Sequence, residues 1–161
     1  MTIYPGIGIG KVRYGISEKD LTLIMGKPDS ISQDEMIEGS GDWYKTYEYT
    51  KYNLSFDFSL EDDYRLGGIT VYSNGHELFG RDVFGLSKVQ VEKIIKTATG
   101  CSPSVEDFSN EYSEDYYCLS DDISGILYWF ESDSLTELQC GYLFEDDDNT
   151  VIWASEPKLT S

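Results

Sequence analysis

Tyr14-Gly15-Ile16-Ser17-Glu18-Lys19-Asp20-Leu21-Thr22-Leu23-Ile24-Met25-Gly26-Lys27-Pro28 carries the start and the stop of a short helix in its own residues. Ser17 is placed as the N-cap, where its hydroxyl accepts from an amide that the first turn leaves unbonded. Leu21, Ile24 and Met25 fall at i, i+3 and i+4 and form one apolar stripe, which Gly26 and Pro28 terminate. The stretch comes back. Phe84-Gly85-Leu86-Ser87-Lys88-Val89-Gln90-Val91-Glu92-Lys93-Ile94-Ile95 sets Gly85 against Gly15, Ser87 against Ser17, and Val91, Ile94 and Ile95 against Leu21, Ile24 and Met25. The second copy runs longer, to Ala98-Thr99-Gly100 with Pro103 beyond it. An internal repeat of this kind predicts two copies of one supersecondary unit.

Strands are expected after each helix. Trp43 to Tyr49 is rich in aromatic strand formers, Leu54, Phe56 and Phe58 alternate with polar residues, and Leu66 to Tyr72 supplies a third strand. Glu35 to Asp42 reads as a polar connector, Glu61-Asp62-Asp63 as a turn, and Ser73 to His76 as another turn. In the second half the expected strands are Tyr112 to Leu119, Ile123 to Glu131, Leu135 to Glu145 and Val151 to Ser155. Ile126, Tyr128 and Phe130 share one face there, as do Leu138, Cys140, Tyr142 and Phe144. The expected fold class is α+β: two tandem repeats, about 7–73 and 77–156, each a short helix followed by three to four antiparallel strands. Together they make one compact domain over 1–161, with a frayed tail from Pro157 to Ser161.

With 161 residues, 40% hydrophobic and 14% aromatic, the chain can bury one core. No apolar run approaches the length of a membrane span, and Met1-Thr2-Ile3-Tyr4-Pro5-Gly6 lacks the basic start and apolar middle of a secretory signal. Cys101, Cys118 and Cys140 are odd in number and form no C-x-x-C, which suits reduced thiols packed as small hydrophobes in a cytoplasmic protein.

Charge is the unusual feature. Thirty acidic residues against 12 basic give a net charge of -18, which excludes direct binding of nucleic acid, since phosphate contacts need a basic surface. From Thr97 to Pro157 there is no Lys or Arg, yet 15 of the 30 acidic residues lie there; the region before it carries 15 acidic against 11 basic residues, a difference of -4. The acidic segment is too aromatic for disorder, with Tyr116, Tyr117, Tyr128, Trp129, Phe130 and Tyr142 among others. Its turns and polar strand faces hold most of the negative charge.

No catalytic constellation assembles from the residues. Gly6, Gly8 and Gly10 lack the following helix of a dinucleotide fingerprint, and Gly10-Lys11-Val12 lacks the Ser or Thr of a phosphate loop; they read as a strand or turn with close backbone approach. His76 is the single histidine, expected to be solvated in an Asn-Gly turn. Cys118 and Cys140 sit among acids that disfavour a thiolate. Asp146-Asp147-Asp148-Asn149 lacks the alternating spacing and distal Glu of a calcium loop, and neither metal nor cofactor is expected. What remains is the acidic surface, since folded surfaces normally mix signs. A basic partner would offset its self-repulsion and be steered to it. The residues expected to bind that partner are Glu111, Glu114, Asp115, Tyr116, Tyr117, Asp121, Asp122, Asp146, Asp147 and Asp148.

Gly15-x-Ser17 leading to Leu21, Ile24, Met25 and Gly26-x-Pro28, followed by strands and a second copy from Gly85-x-Ser87, resembles the tandem helix-plus-sheet units of beta-lactamase inhibitory proteins and of BamE-type outer-membrane assembly lipoproteins. A small, acidic, aromatic-rich chain also resembles the immunity proteins of bacterial polymorphic toxin systems, including contact-dependent inhibition. That resemblance implies a cytoplasmic protein without enzymatic activity, monomeric in a 1:1 complex, that neutralises a basic toxin domain such as a nuclease. The first resemblance implies, as the alternative, a non-inhibitory assembly or scaffolding module.

Overall fold

Alternating apolar and polar residues build one eight-stranded antiparallel sheet, and two helices lie on its apolar face. The structure, a computed structural model, describes residues 1–109 and 116–154. The chain opens with a three-stranded meander of β1 (Ile3–Tyr4), β2 (Gly8–Ile9) and β3 (Val12–Arg13). Then follow α1 (Glu18–Met25), β4 (Ser30–Glu35), β5 (Trp43–Tyr49), β6 (Leu54–Ser59) and β7 (Leu66–Val71). After a connector come α2 (Lys88–Thr99), β8 (Ser104–Asp107), β9 (Tyr117–Asp121), β10 (Ile126–Glu131) and β11 (Ser134–Gly141). A short ribbon, β12 (Leu143–Phe144) and β13 (Val151–Ile152), ends the described chain. The large sheet runs β4-β5-β6-β7-β11-β10-β9-β8, so β7 and β11 meet at its centre and β4 and β8 are its edges.

Each helix begins where its sequence says it should. Ser17 Oγ accepts from the Asp20 amide at 3.1 Å. Ser87 Oγ accepts from the Gln90 amide at 3.3 Å, while Gln90 Oε1 accepts from the Ser87 amide at 3.0 Å, a reciprocal capping box. Just before each cap the chain is stitched to a central strand. The Gly15 amide donates to Leu66 O at 2.8 Å and the Leu66 amide to Ile16 O at 2.9 Å; the Gly85 amide donates to Leu135 O at 3.0 Å and the Leu135 amide to Leu86 O at 2.9 Å. Gly15 and Gly85 hold φ of 93° and 80°, which explains why both positions are glycine. Leu21, Val91 and Ile95 are buried, and Met25 and Ile94 pack partly against the core. Ile24 is 42% exposed, so the stripe of the two-turn α1 is narrower than its sequence suggests.

The core face carries Tyr47, Tyr49, Leu54, Phe56, Phe58, Leu66, Ile69 and Val71 from one half and Leu119, Ile126, Tyr128, Phe130, Leu138 and Cys140 from the other. Two edge strands were not expected. β4 and β8 are polar and exposed, with no apolar alternation to announce them, and the first half therefore has four strands after its helix. The expected strand over Leu135 to Glu145 breaks at Tyr142, which is partly buried, and Phe144 is exposed. Strands expected from Tyr112 and Ile123 begin at Tyr117 and Ile126; Tyr112 lies outside the described residues, as does Ser155, the expected end of the last strand. Ser132 and Asp133, both at positive φ, make the two-residue turn between β10 and β11. Gly8 allows the close approach expected of it, since a Cβ there would stand 1.9 Å from Val12 O.

His76 is buried, at 5% exposure, instead of solvated. Its Nε2 lies 2.6 Å from Tyr52 O and its Nδ1 3.1 Å from the Met1 ammonium, so the ring joins the chain start to the first half. Cys118 and Cys140 are buried, but Cys101 is exposed, because it stands just past the end of α2; all three are free thiols. Among the described residues no helix is long and apolar enough to cross a membrane.

The caps give a stability test. Ser17→Ala and Ser87→Ala should each lower the unfolding free energy by about 0.5–2 kcal/mol, as read from urea titrations followed by circular dichroism. Each removes one hydroxyl that accepts from a first-turn amide, while the bond from the residue 87 amide to Gln90 Oε1 needs no serine hydroxyl and stays available.

Candidate functional site

The second face of the large sheet is the candidate site, and the strand register defines it. Residues directly paired across an antiparallel ladder share a face. One row passes through Glu48, Ser55, Thr70, Gln139, Leu127, Ser120 and Ser104. Thr46, Asp57, Gly68 and Gly141 lie beside it at one end, and Glu137, Trp129, Cys118 and Glu106 at the other. Among the described residues neither helix lies on this face, because α1 and α2 bury Leu21, Val91 and Ile95 on the opposite one. It presents the carboxylates of Asp34, Glu48, Asp57, Glu106, Glu131 and Glu137, and none of its strand positions is Lys or Arg.

Several of these acids are held uncomfortably. Burial pushes the Asp57 carboxyl above its ordinary range, against the lowering effect of a 2.6 Å hydrogen bond from Thr46 Oγ1. Burial likewise raises Glu48, helped by the charges of Asp57 and Asp29, and raises Glu137 against a bond from Gln139. Tyr72, beyond the end of β7, is raised by burial and then by Glu48 and Asp29, and its hydroxyl has no hydrogen-bond partner.

Two features stand out of the face. On the first-half side, a recess of about 440 Å³ opens over Asp57, Ser59, Gly67 and Gly68, with Trp43, Tyr44 and Tyr142 around it and Asp42, Glu61 and Asp62 at its rim. Tyr142 donates to Asp62 Oδ1 at 3.3 Å, and burial followed by that carboxylate pushes its phenol up to about 12. On the second-half side, Trp129, Phe108 and Tyr116 form a triangle of rings, with centroids 5.5 and 5.7 Å from Trp129 to the other two and 6.4 Å between those, and the Trp129 Nε1 is buried without a partner.

The residues expected from sequence are dispersed. Glu111, Glu114 and Asp115 lie outside the described residues. Tyr116 joins the Trp129 cluster on the open face. Tyr117 faces the helices: it stacks on Phe130, donates to Asp133 and receives the Lys88 ammonium over its ring. Asp121 is buried at 4% exposure, correcting its placement in an exposed turn; it ends β9 opposite Ile126 on the core face, and its Oδ1 accepts from the Ser124 amide. Asp122 and Asp148 flank a second cleft of about 480 Å³ floored by Gly125 and Leu143, with Ile123, Phe144 and Ile152 exposed around it. Asp147 is spent on its own turn, where it accepts from Asn149 and Thr150 and its carboxyl is held low, while Asp146 is exposed beside it. The acids of the open face were missed individually because strand reading follows the apolar positions. Their signal was the polar residue between each pair of core residues.

No family model and no curated protein matches the chain. Among solved structures, the 1.5 Å crystal structure of an extracellular protein containing an SCP domain from Bacillus anthracis str. Ames is similar over 80% of this chain, with 10% identity and a TM-score of 0.46. The likeness spans 44% of that chain, less than half its length, and is too loose to carry an argument.

The raised carboxyls set a pH dependence. A folded-state pKa above the unfolded value penalises folding at neutral pH, and the penalty fades as pH falls through the folded pKa and vanishes below the unfolded one. Asp29, Asp107, Asp133 and Asp147, held low by hydrogen bonds, work the other way and lose their contribution as pH falls below the ordinary carboxylate range near 4. The melting temperature should therefore rise from pH 7.5 to about pH 5 and fall below about pH 4, and Asp57→Asn should melt higher than wild type at pH 7.5 with a shallower rise. Calorimetric scans of both proteins across that range check this.

Proposed function

We propose that the chain is an intracellular immunity or inhibitor protein that binds and neutralises a basic toxin domain, a nuclease above all, and that the open face of its sheet is the surface it uses. The single observation that carries this is a sheet face with six carboxylates and no cation on its strands. Solubility needs acids on the surface but does not need a whole face free of positive charge. A protein that holds nucleic acid presents a cationic groove, and an anionic sheet face is its electrostatic complement. The proposal assigns the chain no chemistry of its own and pairs it with the partner as a 1:1 complex.

The same reading takes the chain as two tandem copies of one helix-plus-four-strand unit. Several coincidences support it. Between Phe58↔Leu66 and Asp57↔Gly68 the register skips Gly67, and between Phe130↔Leu135 and Trp129↔Glu137 it skips Thr136, so each central strand carries a bulge one residue after the leucine that receives the helix entrance. Ile31↔Tyr47 and Val105↔Leu119 occupy matching places at the two edges. The central pairs Val71↔Leu138 and Ile69↔Cys140 exchange with each other when the two halves are exchanged.

Co-expression with the product of the adjacent gene, in cells that product poisons, tests the function. Growth should be rescued, and the combined Glu48→Gln, Glu106→Gln, Glu137→Gln variant should associate about tenfold more slowly at low salt, with a flatter salt dependence, by surface plasmon resonance. Failure to rescue, or an association rate that ignores the triple variant, would sink the proposal. A scaffold would not rescue.

A further inference from the structure

We infer that the recess over Asp57 and Gly68 receives one arginine side chain of the basic partner and is the point of the open face that selects it. The inference rests on the reading of that face as the binding surface, and it adds which position discriminates.

The recess is a missing side chain. Asp57 pairs with Gly68 one step beyond the bulge of β7, and Trp129 pairs with Glu137 one step beyond the bulge of β11. On the second-half side an indole and a carboxylate fill that place. On the first-half side nothing stands above the backbone of Gly68. Its conformation does not demand glycine: it is not among the residues at positive φ, and a Cβ there would meet Asp57 Cβ at an ordinary 3.5 Å. What the glycine leaves is space in front of a carboxylate. Asp57 Oδ1 accepts from Thr46, while Oδ2 lies 3.6 Å from the position that Cβ would take and so faces the space.

The walls favour a planar cation. Trp43 and Tyr142 offer ring surface, and carboxylates come from Asp57 and from Asp62, which also accepts from Ser59 at 3.2 Å and from Tyr142 at 3.3 Å. A guanidinium stacks on rings and bonds carboxylates through two parallel N–H groups at once, whereas an ammonium acts as a point charge with a tighter hydration shell. The chain uses this chemistry next door: the Arg65 guanidinium lies 4.2 Å from the centroid of the Trp153 ring, which packs edge-on against Tyr142 at 5.2 Å. Arg65 itself is turned away, with Nε donating to Gly15 O at 2.9 Å. Among the described residues no cluster of ligands suited to a metal ion competes for the position.

Hexa-arginine and hexa-lysine peptides, titrated into the ¹⁵N-labelled full chain at low salt, test this. Hexa-arginine should bind several-fold more tightly, shift the amides of Asp57, Gly67 and Gly68, and lose about tenfold in affinity with Gly68→Leu, which fills the recess, and with Asp57→Asn, which keeps the Thr46 bond. Glu106→Gln, remote in the sheet order, should weaken both peptides by the same small factor. Equal binding of the two peptides, or wild-type hexa-arginine binding by Asp57→Asn, overturns the recess even if Gly68→Leu fails to fold. If Glu106→Gln still weakens binding in that case, the open-face reading survives alone. If no open-face substitution changes binding, both fall.

Discussion

The pairing of β7 with β11 is the constraint on which the rest depends. Val71↔Leu138, Thr70↔Gln139, Ile69↔Cys140 and Gly68↔Gly141 join two four-stranded halves into one sheet. Each of these strands also receives a helix entrance, through Leu66 and Leu135, so the ladder fixes where α1 and α2 sit as well as how the halves meet. The bulges at Gly67 and Thr136 come next to these anchoring leucines, and a bulge bends its strand and increases the local twist.

Charge is divided by the sheet. On the helix side cations find partners: Lys45 with Glu18 at 3.2 Å and over the Tyr64 ring, Lys88 with Glu92 at 3.5 Å and over the Tyr117 ring. On the open side carboxylates face water and one another, and burial raises those nearest the centre. The stabilising pairs are thus local to the fold, and the unbalanced field points outward from one face. A surface of this kind attracts partners over distances comparable to the screening length of the medium, roughly 8–10 Å at ordinary ionic strength.

Much of the architecture was legible because it depends on rules that act within a few residues. The caps at Ser17 and Ser87, the glycines before them and the alternation in β6 and β10 are local, and the structure has them where the sequence placed them. The edge strands were not legible, since Ser30–Glu35 and Ser104–Asp107 owe their conformation to a neighbour's hydrogen bonds and not to burial of their own side chains. His76 was misplaced for a related reason: a polar residue in a turn-like context is buried when distant groups satisfy it, as Tyr52 O does, whereas Asp121 follows its strand to the core face with one oxygen held by the nearby Ser124 amide and the other without a partner. The open face shows the converse failure. Asp57 and Gly68 are eleven positions apart in sequence and acquire a shared meaning only through their place in the ladder.

The edge strands carry one more consequence. β4 and β8 leave a row of backbone groups at each side of the sheet, the geometry by which identical chains add strand to strand. β4 ends in Asp34 and Glu35, and β8 in Glu106 and Asp107. Every copy thus carries net negative charge on both edges, so two copies approaching edge to edge repel one another along the seam where each is most adhesive. That protection is electrostatic and lapses as the medium nears the isoelectric point of about 4.1. The acidity of these edges is therefore also what opposes association of the molecule with itself.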